Sequence, residues 1–448
     1  MLNPIAKHAV VFGAGMGGLA AAKALAPYFE KVTVLDRDAL PEVPVARTGT
    51  PQARHAHALL AGGQKALETL FPGIEGDIAK AGAVKVRVGR DVIWERPGFD
   101  PFPRRDLGFD SFCLSRPLLE SVCRRRLREA PNVDIRPRTR VLEVIPSYDR
   151  CAAAAVQYED DAGMPETLAA DLVVDASARA APTLSALKSF GLPKPNESEI
   201  GIDVGYATVV FEIPDNGTTE WMGVAHLGAP PGVRRGGLIL PMEDRKWIVS
   251  IGGRHGDDPP GDLDGFITFA KTFRTATIYE AIRNAKPLGD VARYNLPASV
   301  RRHFHRLDRF PRGLIPLGDS VCRFNPVFGQ GMSVAAMEAV VLGRQLALRS
   351  GHADPLDGLA TDYLVEIQDC LEAPWATAVT DFVHPQTRGD RPADFDKRLQ
   401  YGMALTRLAA EDASVHKALI EVTHLLRPHS ALREPELASR VTALMAAA

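Results

Sequence analysis

The first forty residues allow few folds. His8-Ala-Val-Val-Phe12 is an apolar run of strand type, followed by Gly13-Ala-Gly15-Met-Gly-Gly18 and a small-residue helix over Leu19–Leu25. A second such run, Lys31-Val-Thr-Val-Leu35, ends at Asp36 and Arg37. In a unit of this kind the first glycine permits the tight turn and the second lets a pyrophosphate approach the backbone. The third lets the helix close on the strand. Asp36 stands 21 residues after Gly15, the offset that carries a carboxylate to the hydroxyls of an adenosine ribose. Glycine turns of this form are common in isolation. Strand, helix and acid in register are what give this one its weight, and together they predict an α/β chain with a Rossmann-type sheet.

A second glycine-bearing bend lies far along the chain. Gly313-Leu-Ile-Pro-Leu-Gly318-Asp319 reads as a strand ending in an acid. Asn325-Pro326-Val-Phe-Gly329-Gln330-Gly331-Met332 then turns into another small-residue helix. The carboxylate is placed to bond a polyol, and the turn brings backbone N–H groups and the positive end of a helix to the same place. A nicotinamide ring has no use for this second site, whereas the ribityl chain and isoalloxazine of a flavin do. One FAD gripped at both ends is the expectation.

Length and charge set the bounds. A chain of 448 residues has room for two or three domains. Lys and Arg number 53 against 55 Asp and Glu, a net charge of -2, so no nucleic-acid partner is expected. The run Arg124-Arg125-Arg126 reads as the solvated face of a helix beginning near Pro117, with Leu118, Leu119, Val122, Cys123 and Leu127 on its buried side. Five scattered cysteines without CxxC spacing predict neither a disulfide framework nor a metal site. Cys322, beside the second bend, reads either as a small core residue or as a flavin neighbour. A strand begins almost at residue 1 and no apolar run nears the ~18 residues of a membrane span, so a cytoplasmic protein is expected.

Residues 1–185 read as the first part of the FAD-binding domain, and 186–295 as an inserted β-sheet domain for substrate. Residues 296–350 return to the FAD-binding domain, and 351–448 read as a helical C-terminal region. The Pro-rich, aromatic stretch Trp94–Arg105, within a loop at 89–110, reads as ordered and facing the substrate domain. Ser115-Arg116-Pro117 has the form of a helix cap with proline in the first turn. Strands are expected at Val133–Arg136, Val141–Ile145, Ala152–Tyr158 and Thr167–Asp175. In the inserted domain they fall at Ile202–Ile213, Met222–Leu227, Gly237–Pro241 and Trp247–Gly252, with turns at Pro214-Asp-Asn-Gly and Pro230-Pro-Gly. Tyr206, Phe211, Trp221, Ile239 and Trp247 are the substrate candidates. Alternation leaves their facing open, and Trp247 also reads as sheet core.

With these pieces in order, the chain resembles the para-hydroxybenzoate-hydroxylase-like (group A) FAD-dependent monooxygenases, whose FAD domain has a glutathione-reductase-like Rossmann fold. Within them it resembles the bacterial branch of polyether-ionophore polyene epoxidases, with squalene epoxidase more distant. The resemblance covers essentially the whole chain. It assigns Gly13, Gly15 and Gly18 to the FAD pyrophosphate loop, and Gly318, Asp319, Pro326, Gly329, Gln330 and Gly331 to the flavin-ribityl motif. Arg47-Thr-Gly-Thr-Pro51-Gln52 with His55 and His57 looks like a branch motif near the FAD. Ser115-Arg116, with Leu119-Glu120, matches the arginine that approaches the dinucleotide. Asp175-Ala-Ser-Ala178-Arg179 stands where relatives usually carry Asp-Ala-Ser-Gly-Arg. If that turn needs a positive φ, Ala178 costs roughly 1 kcal/mol relative to glycine.

The resemblance implies that reduced flavin and O2 form a C4a-hydroperoxide, which passes one oxygen atom to an apolar unsaturated natural product by epoxidation or hydroxylation. Electrons would come from NAD(P)H or a partner flavin reductase. Pro326, Gly329, Gln330 and Gly331 would place the flavin without an obligatory acid or base, and Gly331-Met332 would turn N–H groups toward its ring. Arg47 or Arg54 could neutralise the pyrophosphate, or be plain surface cations. His55 and His57 face one side of an extended stretch. They read as structural hydrogen-bonding groups, as a substrate or proton site, or as two ligands lacking a third. Two other classes share both FAD motifs: reductases of polyprenyl double bonds, like geranylgeranyl reductases, and non-catalytic flavoproteins. A flavin halogenase is disfavoured by the lack of a Trp-x-Trp-x-Ile-Pro segment. A monomer or homodimer is expected.

Overall fold

The computed structural model describes residues 4–214 and 219–446. Among these, five strands make a parallel sheet in the order Leu314–Pro316, Leu172–Asp175, Ala6–Phe12, Phe29–Leu35, Val133–Arg136. Its strands are continuous apolar runs because both faces are covered. Ala9 and Val11 pack toward the helices Met16–Leu25 and Gly331–Arg349, while Val10 and Phe12 pack on the opposite side with Val144, Val156 and Tyr158. That second cover is a three-stranded antiparallel sheet of Arg140–Pro146, Ala153–Glu159 and Pro165–Ala169.

The single strand expected over Thr167–Asp175 is therefore two strands in different sheets. Asp171 marks the break: its carboxylate accepts from the backbone N–H of Lys7 at 2.9 Å and of His8 at 2.8 Å, tying the corner to the first strand. The helix Arg116–Leu127 starts as its residues suggest, with Ser115 Oγ accepting from Leu118 N.

An eight-stranded sheet covers the cavity described below. Its main path runs Cys322–Arg323, Ala292–Arg302, Glu197–Glu212, Lys246–Arg254, Gly236–Met242, Gly223–His226, Val92–Glu95, and Arg388–Gly389 pairs with Glu197–Glu212. The loop at 89–110 thus supplies an edge strand, parallel to Gly223–His226. Two helices, Leu263–Ala270 and Thr277–Ile282, lie in a stretch that reads as β-rich; Phe266, Phe269 and Ile278 bury one face of the sheet. The boundary expected at 185/186 falls inside the helix Ala181–Ser189, and that at 295/296 inside the strand Ala292–Arg302. The turn expected at Pro214-Asp-Asn-Gly lies, beyond Pro214, outside the described residues.

Gly331–Arg349 is long and apolar enough to cross a membrane by length and composition. It is instead a core helix here, packed between Met16–Leu25 and Ala61–Leu70. Beyond it the chain is mostly helical, through Phe395–Glu411, Ala413–Thr423 and Pro435–Ala446.

Candidate cofactor and substrate site

The N-terminal loop is built around two contacts that exclude side chains. Gly13 has φ +91°, and a Cβ on Gly18 would fall 1.7 Å from the Gly13 carbonyl oxygen. Only glycine closes this turn. Gly15, Met16 and Gly17 then line a cavity of about 1610 Å³. From the other end of the chain, Gly318, Asp319, Pro326, Gly329, Gln330, Gly331 and Met332 line the same cavity, as do Gln52 and Arg116. Pro326–Phe328 is a single 3-10 turn, held by Asn325 Oδ1 accepting from Val327 N at 3.1 Å. Asn325 Nδ2 donates to buried Asp381 at 2.9 Å, and Asp381 also pairs with Arg254 at 2.6 Å.

Asp319 opens to the cavity, and among the described residues no hydrogen bond reaches its carboxylate. Burial raises its pKa, against the opposing pull of Arg116, Arg323 and Arg302. The first N–H groups of the helix beginning at Gly331 lie alongside, with no partner inside the helix. A carboxylate acceptor and free N–H donors therefore face one enclosed space.

Besides Gly13 and Gly18, which shape the turn from behind, four expected cofactor residues do not line the cavity. Asp36 does not line the cavity: it accepts from Ala14 N at 2.5 Å, Asp38 N at 2.8 Å and Arg47 Nη1 at 3.2 Å. Arg47 is buried against Asp36, Asp38 and Glu120, with Nη2 also donating to the Ala14 carbonyl. Burial alone would lower its pKa, but Glu120, Asp36 and Asp38 outweigh that and raise it. Arg37 is exposed. Asp175 is fully buried and accepts from Ser177 N and from the backbone and hydroxyl of Thr183, bracing the turn after its strand. The offset from Gly15 placed an acid at the strand end correctly. The cation that occupies it, Arg47, comes from an aperiodic loop.

Ala178 lies on the cavity wall at φ +71°, where a Cβ is strained. Ala178→Gly is expected to raise stability by about 0.5–1 kcal/mol, the strain relief being partly offset by a freer unfolded chain. Chemical denaturation checks this, and a destabilised variant would show that the turn carries no such strain.

The segment 51–60 is stitched to the cavity face of the eight-stranded sheet. Gln52 Nε2 donates to the Tyr294 hydroxyl at 2.9 Å, and Ala56 N donates to Ser250 Oγ at 3.2 Å. His55 Nδ1 is 2.8 Å from Thr208 Oγ1, itself 2.6 Å from Ser250 Oγ. Burial pushes His55 down to about 4 and His57 to about 3, so both are neutral near pH 7. His55 is thus structural, and His57 is the one that lines the cavity.

Of the five substrate candidates, only Tyr206 faces this space. Phe211, Ile239 and Trp247 lie on the opposite face under the helix Leu263–Ala270, and Trp221 stacks on Trp247 at 5.6 Å. The cavity face is instead built by Tyr206, Leu238, Leu240, Ser250 and, on the edge strand, Trp94, with Cys113 of a separate two-stranded sheet also lining the cavity. Cys322 is a core residue. Glu338 was not anticipated. It accepts from Gly318 N at 2.5 Å beneath the second bend, and its only sequence signal is a lone acid in the small-residue run Ala335-Ala-Met-Glu338-Ala.

No family model matches the chain. It is 36% identical over 355 residues to Protein Rv3254 of Mycobacterium tuberculosis, covering 77% of this chain and 73% of that one. Among solved structures it is similar to the flavin-dependent brominase Bmp2, with TM-score 0.65, 13% identity and 98% of each chain covered. It is also similar to PqsL of Pseudomonas aeruginosa, a probable FAD-dependent monooxygenase, with TM-score 0.61 and 16% identity over 84% of this chain and 96% of that one. At such identities the likeness shows the fold alone: an α/β architecture with a parallel sheet and a helical C-terminal region, shared with these flavin- and FAD-dependent proteins. The residues present fit FAD at its flavin end, where Asp319 offers a polyol acceptor and Gly331 and Met332 offer donors.

Proposed function

The chain belongs to the family of the Mycobacterium tuberculosis protein Rv3254, and we propose that it is a FAD-dependent monooxygenase acting on an apolar unsaturated molecule. The observation that carries this reading is the meeting of two distant glycine bends on one largely apolar cavity, with an unpaired carboxylate between them. Bound FAD, once reduced, would supply the O2 activation that no side chain here can supply.

The chain's own contribution is placement. Asp319 would accept from the ribityl hydroxyls, and Arg116 would balance the pyrophosphate beside Gly15. The open N–H groups at Gly331 and Met332 would favour negative charge at the ring edge. Pro326 has no N–H to offer at the turn facing the reacting space, which keeps that wall free of a donor. Tyr206, Leu238 and Leu240 would hold an apolar substrate and exclude water. His57, neutral near pH 7, can share a hydrogen bond without bringing a charge.

The test begins with colour. Purified protein should retain or take up FAD, whereas Asp319→Ala should bind it about 10–100-fold more weakly while staying folded. With NADH, NADPH or externally reduced flavin, candidate polyenes turned over under labelled O2 should gain one labelled oxygen atom. Halide-dependent incorporation of chlorine or bromine would replace oxygenation by halogenation, and anaerobic saturation of a double bond would replace it by reduction. A wild-type chain that refuses FAD sinks the proposal.

A further inference from the structure

Arg96 is a cation on the wall of the cavity that no acidic side chain among the described residues neutralises. It follows the edge strand Val92–Glu95 and sits in a tight turn, its N–H donating to the Phe99 carbonyl at 2.9 Å and the Phe99 N–H returning to the Arg96 carbonyl at 2.8 Å. Its guanidinium lies 5.6 Å from the centre of the Trp94 ring and 5.3 Å from that of Phe102. The Nε atom is sealed from solvent without a hydrogen-bond partner, and among the described residues no acidic side chain pairs with the group. Adjacent Glu95 is committed elsewhere, accepting from Thr277 at 2.5 Å and bonding Thr275 and His226. Asp319 and Asp381 are the acidic residues lining the cavity among those described, and Asp381 is already paired with Arg254.

Two aromatic faces do not settle this charge. Cation–π contacts contribute on the order of 1–2 kcal/mol, whereas withdrawing an unpaired ion from water costs several. Burial accordingly lowers the Arg96 pKa, yet a guanidinium keeps its proton at any ordinary pH. The neighbouring His416 is pushed down to about 4 by burial and by Arg105 and Arg96, so it neither competes with Arg96 nor compensates it. A fixed cation on a rigid turn, facing an apolar cavity and lacking an anion, is a preorganised anion site.

Its position gives the ligand a shape. Four inter-strand steps separate the Val92–Glu95 strand from the strand carrying Tyr206, on the order of 19 Å across the sheet at about 4.8 Å per step. We propose that Arg96 anchors the carboxylate of a long, apolar, unsaturated acid, whose double bonds extend along the cavity toward the Gly318–Met332 bend. This rests on the reading above that the cavity holds an apolar unsaturated substrate.

The probe is cis-parinaric acid, a conjugated polyene fatty acid, titrated by fluorescence into the FAD-loaded enzyme beside its methyl ester. Wild type should bind the acid at least about 30-fold more tightly than the ester, the effect expected of a buried charge-assisted pair. Arg96→Met should erase that preference without loosening the ester, and Arg96→Lys should keep part of it. Arg96→Met should also not lower the melting temperature, because it removes a half-buried charge without a counter-ion among the described residues. Equal binding of acid and ester by wild type, which needs no variant, overturns the proposal. So does a preference that survives Arg96→Met. A ratio near one on a yellow protein removes the anchor alone, whereas a colourless protein removes the flavin reading while the ratio still decides the anchor.

Discussion

Arg47→Met should destabilise the protein by about 3–5 kcal/mol, the loss expected when a buried ion pair is broken on one side. Arg47 is only 5% exposed and bridges Asp36, Asp38 and Glu120, whose side chains are 9%, 10% and 4% exposed. Methionine fills much the same volume, so the loss reports charge rather than a void. The three acids do not suffer equally. Glu120 keeps Arg116 at 2.8 Å, and Asp36 keeps the N–H groups of Ala14 and Asp38. Asp38 keeps the Gly49 N–H but loses its cation at 2.8 Å. Adding Asp38→Asn to the methionine variant should therefore recover part of the loss, because it removes the worst unpaired charge. Lysine at position 47 keeps one pair but cannot span three carboxylates, and should fall between wild type and methionine. Thermal melts of the four proteins check the order. Equal stability of Arg47→Met and wild type would mean that the cluster is solvated and contributes little.

That cluster also shows where reading the sequence stops. The βαβ unit and the second bend were legible because glycine spacing and apolar runs are local signals, and the backbone at Gly13, Gly18, Gly318 and Gly329 leaves little choice. The Ser115 cap was legible for the same reason. The network of Arg47 was not, because its loop has no period and its partners come from three separate segments. Facing in the substrate sheet failed differently. Alternation correctly divides Tyr206 from Phe211, but which side is wet depends on where the helices Leu263–Ala270 and Thr277–Ile282 land. They cover Phe211, Ile239 and Trp247, and so leave the smaller, more polar face for the ligand. Arg96 lay within a stretch read as ordered and aromatic, yet only the absence of an acid around it among the described residues, a tertiary fact, gives it meaning. The charge state of Glu338 is hidden in the same way.

Between about pH 4.5 and pH 8 Glu338 should make the stability of this protein fall as pH rises, and Glu338→Gln should abolish that contribution. The side chain is fully buried, with one carboxylate oxygen on Gly318 N at 2.5 Å and the other without a hydrogen-bond partner among the described residues. Burial first, and the nearby Asp319 charge second, push its pKa from 4.5 up to about 8 despite the Gly318 bond. The folded protein therefore holds this proton across a range in which the unfolded chain has released it. The stabilisation is whole below about pH 4.5, shrinks as pH rises, and is gone above about pH 8. The full swing is at most about 5 kcal/mol, with on the order of 3 already lost by pH 7. Glutamine keeps an acceptor for Gly318 and never ionises, and the buried, unpartnered Tyr363 hydroxyl is within electrostatic reach of the amide. The variant should nearly match wild type near pH 5, exceed it increasingly up to about pH 8, and keep a constant advantage above that. Because Glu338 holds the backbone of the Gly318-Asp319 bend, its ionisation also sets two carboxylates against each other beneath the proposed ribityl site. FAD retention by wild type should decline through about pH 8, while the glutamine variant should hold its cofactor. Parallel stability curves for the two proteins from pH 5 to pH 9 would show that Glu338 is already ionised in the fold, and that the bend is held by geometry alone.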